Sequence, residues 1–221
     1  MNKILIIILL LPILSLSSLV AEANRNNSHV KTIAIQKCSA CHGISGNSRN
    51  AQWPSIAGLN KSYILKQLED FKRGTRINPE MELVVKSLKS DEEFSALALY
   101  FSQQKITPIN DSIMIKDASR KLVDLKLGKE LFIGERLEYG IPACTACHGD
   151  QGQGSIDKKG RIYPRLTDQY QQYSIKQLKL FRASKRSNDS PAMMRNIASM
   201  MDDEDIASVV AYIARLNSQD K

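Results

Sequence analysis

A short motif that occurs twice constrains this chain more than any other feature. The pattern Cys-Xaa-Xaa-Cys-His-Gly stands at residues 38–43 and again at residues 144–149, which is 106 positions later. Together the two copies contain all four cysteines and two of the three histidines of the 221-residue chain. One copy arises easily by chance, whereas two copies indicate a function that both halves of the chain perform.

The similarity between the two halves extends beyond this motif. An offset of 110 residues pairs Trp53-Pro54 with Tyr163-Pro164, Tyr63 with Tyr173, Lys66-Gln67-Leu68 with Lys176-Gln177-Leu178, Phe71 with Phe181, and Arg76 with Arg186. Tyr100 pairs with Tyr212 at an offset of 112. An offset that drifts from 106 to 112 predicts a tandem duplication with small loop insertions. We therefore expect two homologous domains.

The N-terminal segment and the composition between the repeats set the expected boundaries. Residues 1–23 combine Lys3, a long apolar run and an Ala-Glu-Ala end, which is typical of a secretory signal peptide. A retained membrane anchor is the alternative, although the run is shorter than a spanning helix prefers. Either interpretation places the folded part outside the cytoplasm. We predict domains at residues 24–105 and 125–221, joined by a linker at residues 106–124 whose isoleucines allow part of it to pack.

Apolar residues within each unit follow a helical period. Ser90 and Glu93 have the spacing of a capping box, which starts a helix, and Asp202 to Asp205 occupy the same place in the second unit. The apolar faces that follow are Phe94, Leu97, Ala98 and Phe101 in one unit, and Ile206, Val209, Val210 and Ile213 in the other. Further helices are expected over residues 62–71, 125–132 and 174–181. Sustained two-residue alternation is absent, so the predicted fold class is all-α.

The repeated motif has the spacing of a covalent c-type haem site. Cysteines three positions apart lie on the same side of a helical turn, where both sulfur atoms can form thioethers with the vinyl groups of one porphyrin. The histidine that follows then points its imidazole at the iron from the same face. We therefore expect two covalently bound haem c groups, attached through Cys38 and Cys41 and through Cys144 and Cys147, with His42 and His148 as iron ligands.

Three other kinds of cysteine site are less consistent with the sequence. A structural zinc site would bring both cysteine pairs to one metal, but here each pair has its own histidine in its own repeat. A thioredoxin-like pair would accompany alternating strands and helices. Structural disulfides are common in exported proteins and are the next alternative. None of the three explains why His-Gly follows both pairs.

The number of histidines restricts the second axial ligand of each iron. After His42 and His148 are used, only His29 remains, so two bis-histidine haems are impossible. Cysteine thiolates are excluded because the thioethers use all four cysteines. Among the usual axial ligands this leaves the methionine thioether.

The repeat then selects among the methionines. At an offset of 112, Met81 matches Met193, whereas Met194, Met200 and Met201 match residues of other types. We predict Met81 and Met193 as iron ligands, each on a loop before the last helix of its unit, with Met194 as the alternative in the second unit. Met200 and Met201 are expected to be core residues.

The proline that follows each histidine permits two interpretations. Pro54 and Pro164 stand at the same place in the repeat, where a backbone carbonyl could accept the free N–H of the proximal imidazole and so orient it. Their alternative role is to stiffen the loop. Trp53 and Tyr163, which precede them, are expected to pack on the haem edge.

The charge of the chain favours a protein partner. The formal net charge is +8 at pH 7, which permits nucleic acid, an anionic membrane surface or an acidic protein. An exported chain rarely meets nucleic acid, and no block of lysine and arginine is interleaved with aromatic residues. We expect acidic redox proteins as partners, with association with a membrane surface as a further option.

With these residues in place, the chain resembles the cytochrome c4 family of dihaem cytochromes. The resemblance rests on both motifs, on Lys-Gln-Leu followed by Phe at residues 66–71 and 176–181, and on Arg-Ser-Asn at residues 186–188 before Met193. It implies two class I cytochrome c folds related by an approximate two-fold axis, with haem propionates meeting between them and His/Met ligation. The family often has Ala-Gly-Gln after the proline loop, whereas this chain has residues Ala57-Gly58-Leu59 and Thr167-Asp168-Gln169.

Six-coordinate iron has no position for a substrate, so the expected function is outer-sphere electron transfer and not catalysis. The family resemblance implies a periplasmic carrier that passes single electrons between respiratory partners, commonly toward a terminal oxidase. An alternative is the haem subunit of an enzyme complex, such as a flavin-dependent sulfide dehydrogenase. A third hypothesis, an oxidoreductase acting on thiosulfate or peroxide, requires an iron that lacks its methionine.

Overall fold

The structure, a computed structural model, describes residues 28–109, 123–134 and 140–216. The predicted signal peptide and residues 110–122 of the predicted linker lie outside these ranges. In the described part of the chain, no helix combines the length and the apolar character needed to cross a membrane.

Short and medium helices build both units. In the first unit, residues 28–33 are helical and continue through a π-helical turn, Ala34–Cys38, into α1 (Ser39–His42), and α2 (Lys61–Lys72), α3 (Pro79–Lys86) and α4 (Asp91–Ser102) follow. The second unit contains α5 (Leu125–Ile133), α6 (Thr145–His148), β1 (Ser155–Ile156), β2 (Ile162–Tyr163), α7 (Gln171–Arg182), α8 (Met193–Ser199) and α9 (Asp203–Ile213). The prediction of two tandem, mostly helical units is confirmed.

The acidic starts of α4 and α9 act as helix caps. Asp202 and Asp205 form a reciprocal capping box, with N–H to carboxylate distances of 2.8 and 3.0 Å. At α4 the Ser90 hydroxyl accepts from the Glu93 N–H, but the Glu93 carboxylate accepts from the Lys89 N–H at 2.7 Å. Both helices therefore start where the pattern predicts, but only α9 has a full capping box.

Two helices lie where the sequence predicted loops. Met81 is the third residue of α3 and Met193 is the first residue of α8, so the prediction that both lie on loops is wrong. In α3 the signal was present: Asn78 caps the helix by accepting from the Met81 N–H at 2.8 Å, and Pro79 is preorganised for the first turn. By contrast, α8 has no side-chain cap, because Ala192 precedes it in a left-handed conformation.

A small antiparallel hairpin is the only β-sheet among the described residues. Strands β1 and β2 pair Ser155 with Tyr163 and Ile156 with Ile162. The turn is closed by Asp157, whose carboxylate accepts from the Lys159 and Arg161 N–H groups, each at 2.9 Å. In this unit His148 and Pro164 are 16 positions apart, whereas His42 and Pro54 in the first unit are 12 positions apart. The hairpin is therefore the insertion that shifts the repeat offset from 106 to 110.

Each unit has its own apolar core. The first core contains Ile33, Ala34, Leu59, Ile64, Phe71, Val85, Leu88, Phe94, Leu97, Ala98 and Phe101. The second contains Leu131, Phe132, Ile141, Met201, Ile206, Val209 and Val210. The apolar faces predicted for α4 and α9 supply much of both. Met201 is a core residue as expected, but Met200 is 41% exposed and is not.

Helices α5 and α9 cross at very short range in the second unit. Gly128 of α5 packs so closely that a Cβ atom there would lie 2.1 Å from the carbonyl oxygen of Ser208 in α9. Both residues are buried. Only glycine permits this crossing.

The start of the predicted linker packs against the first unit. The Asn47 side chain donates to the Lys105 carbonyl at 2.9 Å and accepts from the Thr107 N–H at 2.8 Å. Ile106, between them, lies against Gly58. The expectation that part of the linker packs is therefore met at residues 106 and 107.

Candidate haem-attachment sites

Both motifs form a tight helical turn that ends at the glycine. In the first unit, Cys38 ends the π-helical turn and Cys41 and His42 lie in α1. Gly43 then has a φ of 76°, and a Cβ atom there would lie 2.3 Å from the Asn47 carbonyl oxygen. Gly149 has nearly the same backbone conformation, with a φ of 83°. The glycine that follows each histidine is therefore required by the turn.

The two histidines make the same hydrogen bond. His42 Nδ1 lies 2.8 Å from the Pro54 carbonyl oxygen, and His148 Nδ1 lies 2.8 Å from that of Pro164. A carbonyl oxygen can only accept, so Nδ1 carries the proton and the Nε2 lone pair is left for a metal. The interpretation of both prolines as carbonyl acceptors is confirmed.

Burial keeps both imidazoles in the form that a metal requires. His42 is 8% exposed and His148 is 7% exposed. Burial lowers the pKa of each, and the bond to the proline carbonyl only partly opposes this effect. Both side chains are therefore neutral at pH 7, and a neutral imidazole is the state that binds iron.

The first cysteine of each motif is unlike the reactive cysteine of a redox pair. All four lie in the described part of the chain, and none of them forms a disulfide. Burial raises the pKa of Cys38 and of Cys144 to about 11, whereas the reactive cysteine of a thioredoxin-like pair has a lowered pKa. Within residues 28–109, 123–134 and 140–216, no three His, Cys, Asp or Glu side chains converge as a structural zinc ion needs.

The methionines predicted as ligands lie in the first turn of a short helix in each unit. Met81 is half-buried and packs on the first core, against which Cys38 also packs. Met193 and Met194 are both half-buried in the first turn of α8. Tyr163 lies beside His148, with ring centroids 6.1 Å apart. A covalent haem needs two cysteines for its thioether links, and an imidazole and a methionine thioether are among its usual iron ligands, so this set of residues fits haem c.

A symmetric polar cluster joins the two units. Arg76 donates to the Tyr173 hydroxyl at 3.0 Å and to Gln177 at 3.1 Å across the interface. Its repeat partner Arg186 donates to the Tyr63 hydroxyl and to Gln67, each at 3.3 Å. Within each unit, the arginine also donates to its own glutamine, at 2.7 and 2.8 Å. Equivalent residues thus exchange equivalent bonds, as an approximate two-fold axis requires.

One part of the interface departs from this symmetry. The Asn188 side chain donates to the buried Asp70 carboxylate at 2.7 Å and to Gln67 at 2.9 Å. Lys66 donates to the Asn188 carbonyl at 2.7 Å and also pairs with Asp70. The residue that matches Asp70 in the second unit is Leu180. The second unit therefore has no carboxylate to repeat this contact.

The loop after Pro164 also contacts the first unit. Arg165, in a buried ion pair with Asp168 at 3.1 Å, donates to the Ala57 carbonyl at 2.8 Å. The Gln169 side chain bonds both backbone groups of Ser55, at 3.0 and 2.9 Å. The Tyr170 hydroxyl donates to the Ser48 carbonyl at 3.0 Å. These four bonds fasten the proline loop of the second unit to that of the first.

Sequence reasoning missed the interface residues. Tyr63, Gln67 and Arg76 were recognised as repeated residues, but no role followed from the repetition. The sequence did contain a signal: both copies keep an uncharged polar residue, Gln67 or Gln177, at the same place in a helix. Polar residues that a duplication keeps in both copies are candidates for the surface where the copies meet.

Comparison with known proteins assigns the family. The family model for cytochrome c matches residues 28–105 and 125–217, once in each unit. The chain is 38% identical over 189 residues to cytochrome c4 from Azotobacter vinelandii, covering 81% of this chain and 84% of that protein. The chain belongs to the cytochrome c4 family.

Two further similarities are consistent with this assignment. The crystal structure of reduced recombinant cytochrome c4 from Pseudomonas stutzeri superimposes with a TM-score of 0.71 at 34% identity, covering 88% of this chain and 98% of that one. The chain is also 34% identical to the thiosulfate dehydrogenase electron acceptor of Stutzerimonas stutzeri strain A1501, over 85% of this chain and 82% of that protein. As a member of the cytochrome c4 family with two motifs, the chain carries two covalently bound haem c groups and serves electron transport.

Proposed function

We propose that this protein is an exported, periplasmic electron carrier that passes single electrons between respiratory partners. Its signal peptide is residues 1–23, and its two haem domains are residues 24–105 and 125–221, joined by the linker at residues 106–124. The observation that carries the proposal is the identical histidine-to-proline bond in both units. A bond that fixes the imidazole tautomer twice supports two iron centres of the same kind.

Each haem would be held by one motif and one methionine. We assign thioether attachment to Cys38 and Cys41 in one unit and to Cys144 and Cys147 in the other. The residues that would bind the iron are His42 with Met81 in one unit, and His148 with Met193 in the other. When bound, such a haem exchanges one electron at the iron, and a methionine ligand raises its reduction potential relative to histidine.

The roles of the protein side chains follow from the site. The Pro54 and Pro164 carbonyls orient the imidazoles and hold the Nδ1 proton. The helical turns hold each pair of cysteines on one side. Both histidines are buried, which limits the access of water to them. No residue in this arrangement acts on a substrate, so the protein itself is a carrier and not an enzyme.

The absorption spectrum of the oxidised protein tests this assignment. Ferric haem with a methionine ligand has a weak far-red band, and we expect it at neutral pH with an intensity that corresponds to two haems. Met81→His should remove half of the band, since it replaces the only candidate thioether of the first unit. Complete absence of the band from the unaltered protein would contradict methionine ligation at both sites.

The surface charge supports an acidic partner. Each ferric haem adds about one negative charge by formal counting, because two propionates and two pyrrole anions outweigh Fe(III), so the net charge stays near +6. The hairpin of the second unit exposes Lys158 and Lys159 close to the second motif, since Ser155 on the same hairpin bonds the Cys147 carbonyl. We infer that this hairpin is a docking surface for an acidic redox protein.

A second candidate function is supported by one of the comparisons. The similarity to a thiosulfate dehydrogenase electron acceptor favours a role as the haem partner of an enzyme that oxidises a sulfur compound. Purification of the native protein distinguishes the two candidates. Association with a dehydrogenase, including a flavoprotein, would favour the second, whereas reduction by membrane complexes alone would favour the first.

A further inference from the structure

One peptide group in the first unit is hydrogen-bonded on both sides. The Pro54 carbonyl accepts from His42 Nδ1 at 2.8 Å. The N–H of the same peptide group belongs to Ser55, and it donates to the Gln169 side-chain oxygen at 3.0 Å. The Gln169 amide nitrogen in turn donates to the Ser55 carbonyl at 2.9 Å. Because a backbone N–H only donates and a carbonyl only accepts, these partners fix the orientation of the Gln169 amide.

The first unit lacks the side chain needed to make the equivalent contact in return. The repeat places Leu59 where the second unit has Gln169. Leucine has no hydrogen-bonding side chain, so the first unit cannot bond the peptide group after Pro164 in the equivalent way. Leu59 is instead buried in the first core, at 8% exposure. The two histidines therefore have the same direct acceptor, but only His42 is connected through it to the other unit.

Such a chain of bonds changes the electron density at the imidazole. A hydrogen bond accepted from a peptide N–H polarises that peptide, which makes its carbonyl a stronger acceptor. A stronger acceptor at Nδ1 raises the basicity of the imidazole toward a metal at Nε2. A more basic ligand stabilises Fe(III) over Fe(II) and lowers the reduction potential.

We propose that Gln169 is a positioning residue that lowers the reduction potential of the first haem relative to the second. The proposal rests on the proposed role of His42 as an iron ligand. The reduction potential of the first haem then depends on the contact between the two units. The Arg165 side chain donates to the Ala57 carbonyl at 2.8 Å and so holds the loop that contains Gln169 against the first unit.

A spectroelectrochemical titration of the two-haem protein tests the proposal. Q169L gives the second unit the residue that the repeat has in the first. We expect it to favour reduction of the first haem about threefold, which is about 30 mV at 59 mV per tenfold for one electron, and to leave the second haem unchanged. M81H, which displaces the titration of the first haem, identifies which step belongs to it.

A matched control distinguishes the effect of losing the Gln169 amide from the effect of a generally looser interface. Y170F removes another bond between the same two loops but does not touch the Pro54 peptide group, so both potentials should stay unchanged. The His42 ring N–H resonance should shift in Q169L and not in Y170F. Equal shifts of both haems in Q169L, or the same shift in Y170F, would overturn the proposal. A protein without two haem spectra or without His42 ligation would instead contradict the proposed function, and its spectrum would reveal this before any titration.

Discussion

The crossing of α5 and α9 yields a prediction about the stability of the second unit. G128A adds a Cβ atom that would lie 2.1 Å from the Ser208 carbonyl oxygen and 2.6 Å from its carbonyl carbon. Both are main-chain atoms of a buried helix, so no side chain can move aside to make room. One of the two helices must shift, which disturbs the packing of α5 on the second core.

The expected loss of stability follows from two opposing effects. Overpacking of a core costs about 1–3 kcal/mol, and a backbone obstacle places this substitution at the upper end. Alanine recovers about 1 kcal/mol over glycine inside a helix. The net destabilisation should therefore be about 2 kcal/mol, which lowers the Tm of a domain of this size by about 10 °C.

Thermal unfolding of the haem-containing protein, followed by circular dichroism, measures this effect. K129A changes the adjacent, exposed residue of the same helix and should alter stability by no more than about 0.5 kcal/mol. S208A removes a buried hydroxyl that has no hydrogen-bond partner but leaves the obstructing carbonyl in place, so it should not rescue G128A. A G128A protein as stable as K129A would refute the idea that the crossing requires glycine.

Three further predictions concern the interface, the axial ligands and docking. Burial alone would raise the pKa of Asp70, but hydrogen bonds from Lys66 and Asn188 hold that pKa below its usual value; its stabilisation should be present at neutral pH and be lost as the pH falls below about 4. D70N should therefore lower the free energy of unfolding at pH 7 by about 2 kcal/mol and flatten its acid dependence. M193A should remove half of the far-red methionine band, whereas M194A should leave it intact. K158E/K159E should slow the oxidation of the reduced protein by the ferricyanide anion, and the difference from the unaltered protein should shrink at high salt.

Each of these predictions has its own decisive comparison. Urea unfolding from pH 3 to pH 7 would contradict the Asp70 argument if D70N and the unaltered chain lost stability in parallel. Loss of the band in M194A and not in M193A would transfer ligation to Met194. The hairpin charges would have no role in docking if K158E/K159E slowed oxidation by a cationic cobalt complex as much as by ferricyanide.

Most of the correct predictions came from the repeated motif and from the comparison of the two halves of the sequence. Residue spacing predicts which side chains share a helical turn, so the cysteine pairs, the histidines and the main helices followed from local rules. The proline carbonyls followed as well, because an imidazole bound to a metal needs an acceptor for its other nitrogen. These features depend on short segments of the chain.

The remaining features depend on contacts between distant segments. The short helices α3 and α8 lie between stronger helical patterns, and α8 begins without a capping side chain. The hairpin contains only two pairs of residues, too few for alternation to be visible. The interface glutamines and arginines look like solvated helix residues until the second unit is placed against them. Local patterns do not contain the position of that second unit.

The symmetric cluster at Arg76 and Arg186 has a consequence for the origin of the chain. Each unit carries both halves of the contact: an arginine that donates, and a tyrosine and a glutamine that accept. A contact of this kind is isologous, so a single unit is complementary to a second copy of itself. The interface is the one that a homodimer of a single-haem ancestor would have formed before its two copies were joined. Asp70 and Gln169, each without a matching residue in the other unit, would then be changes that became useful only after the joined copies could differ.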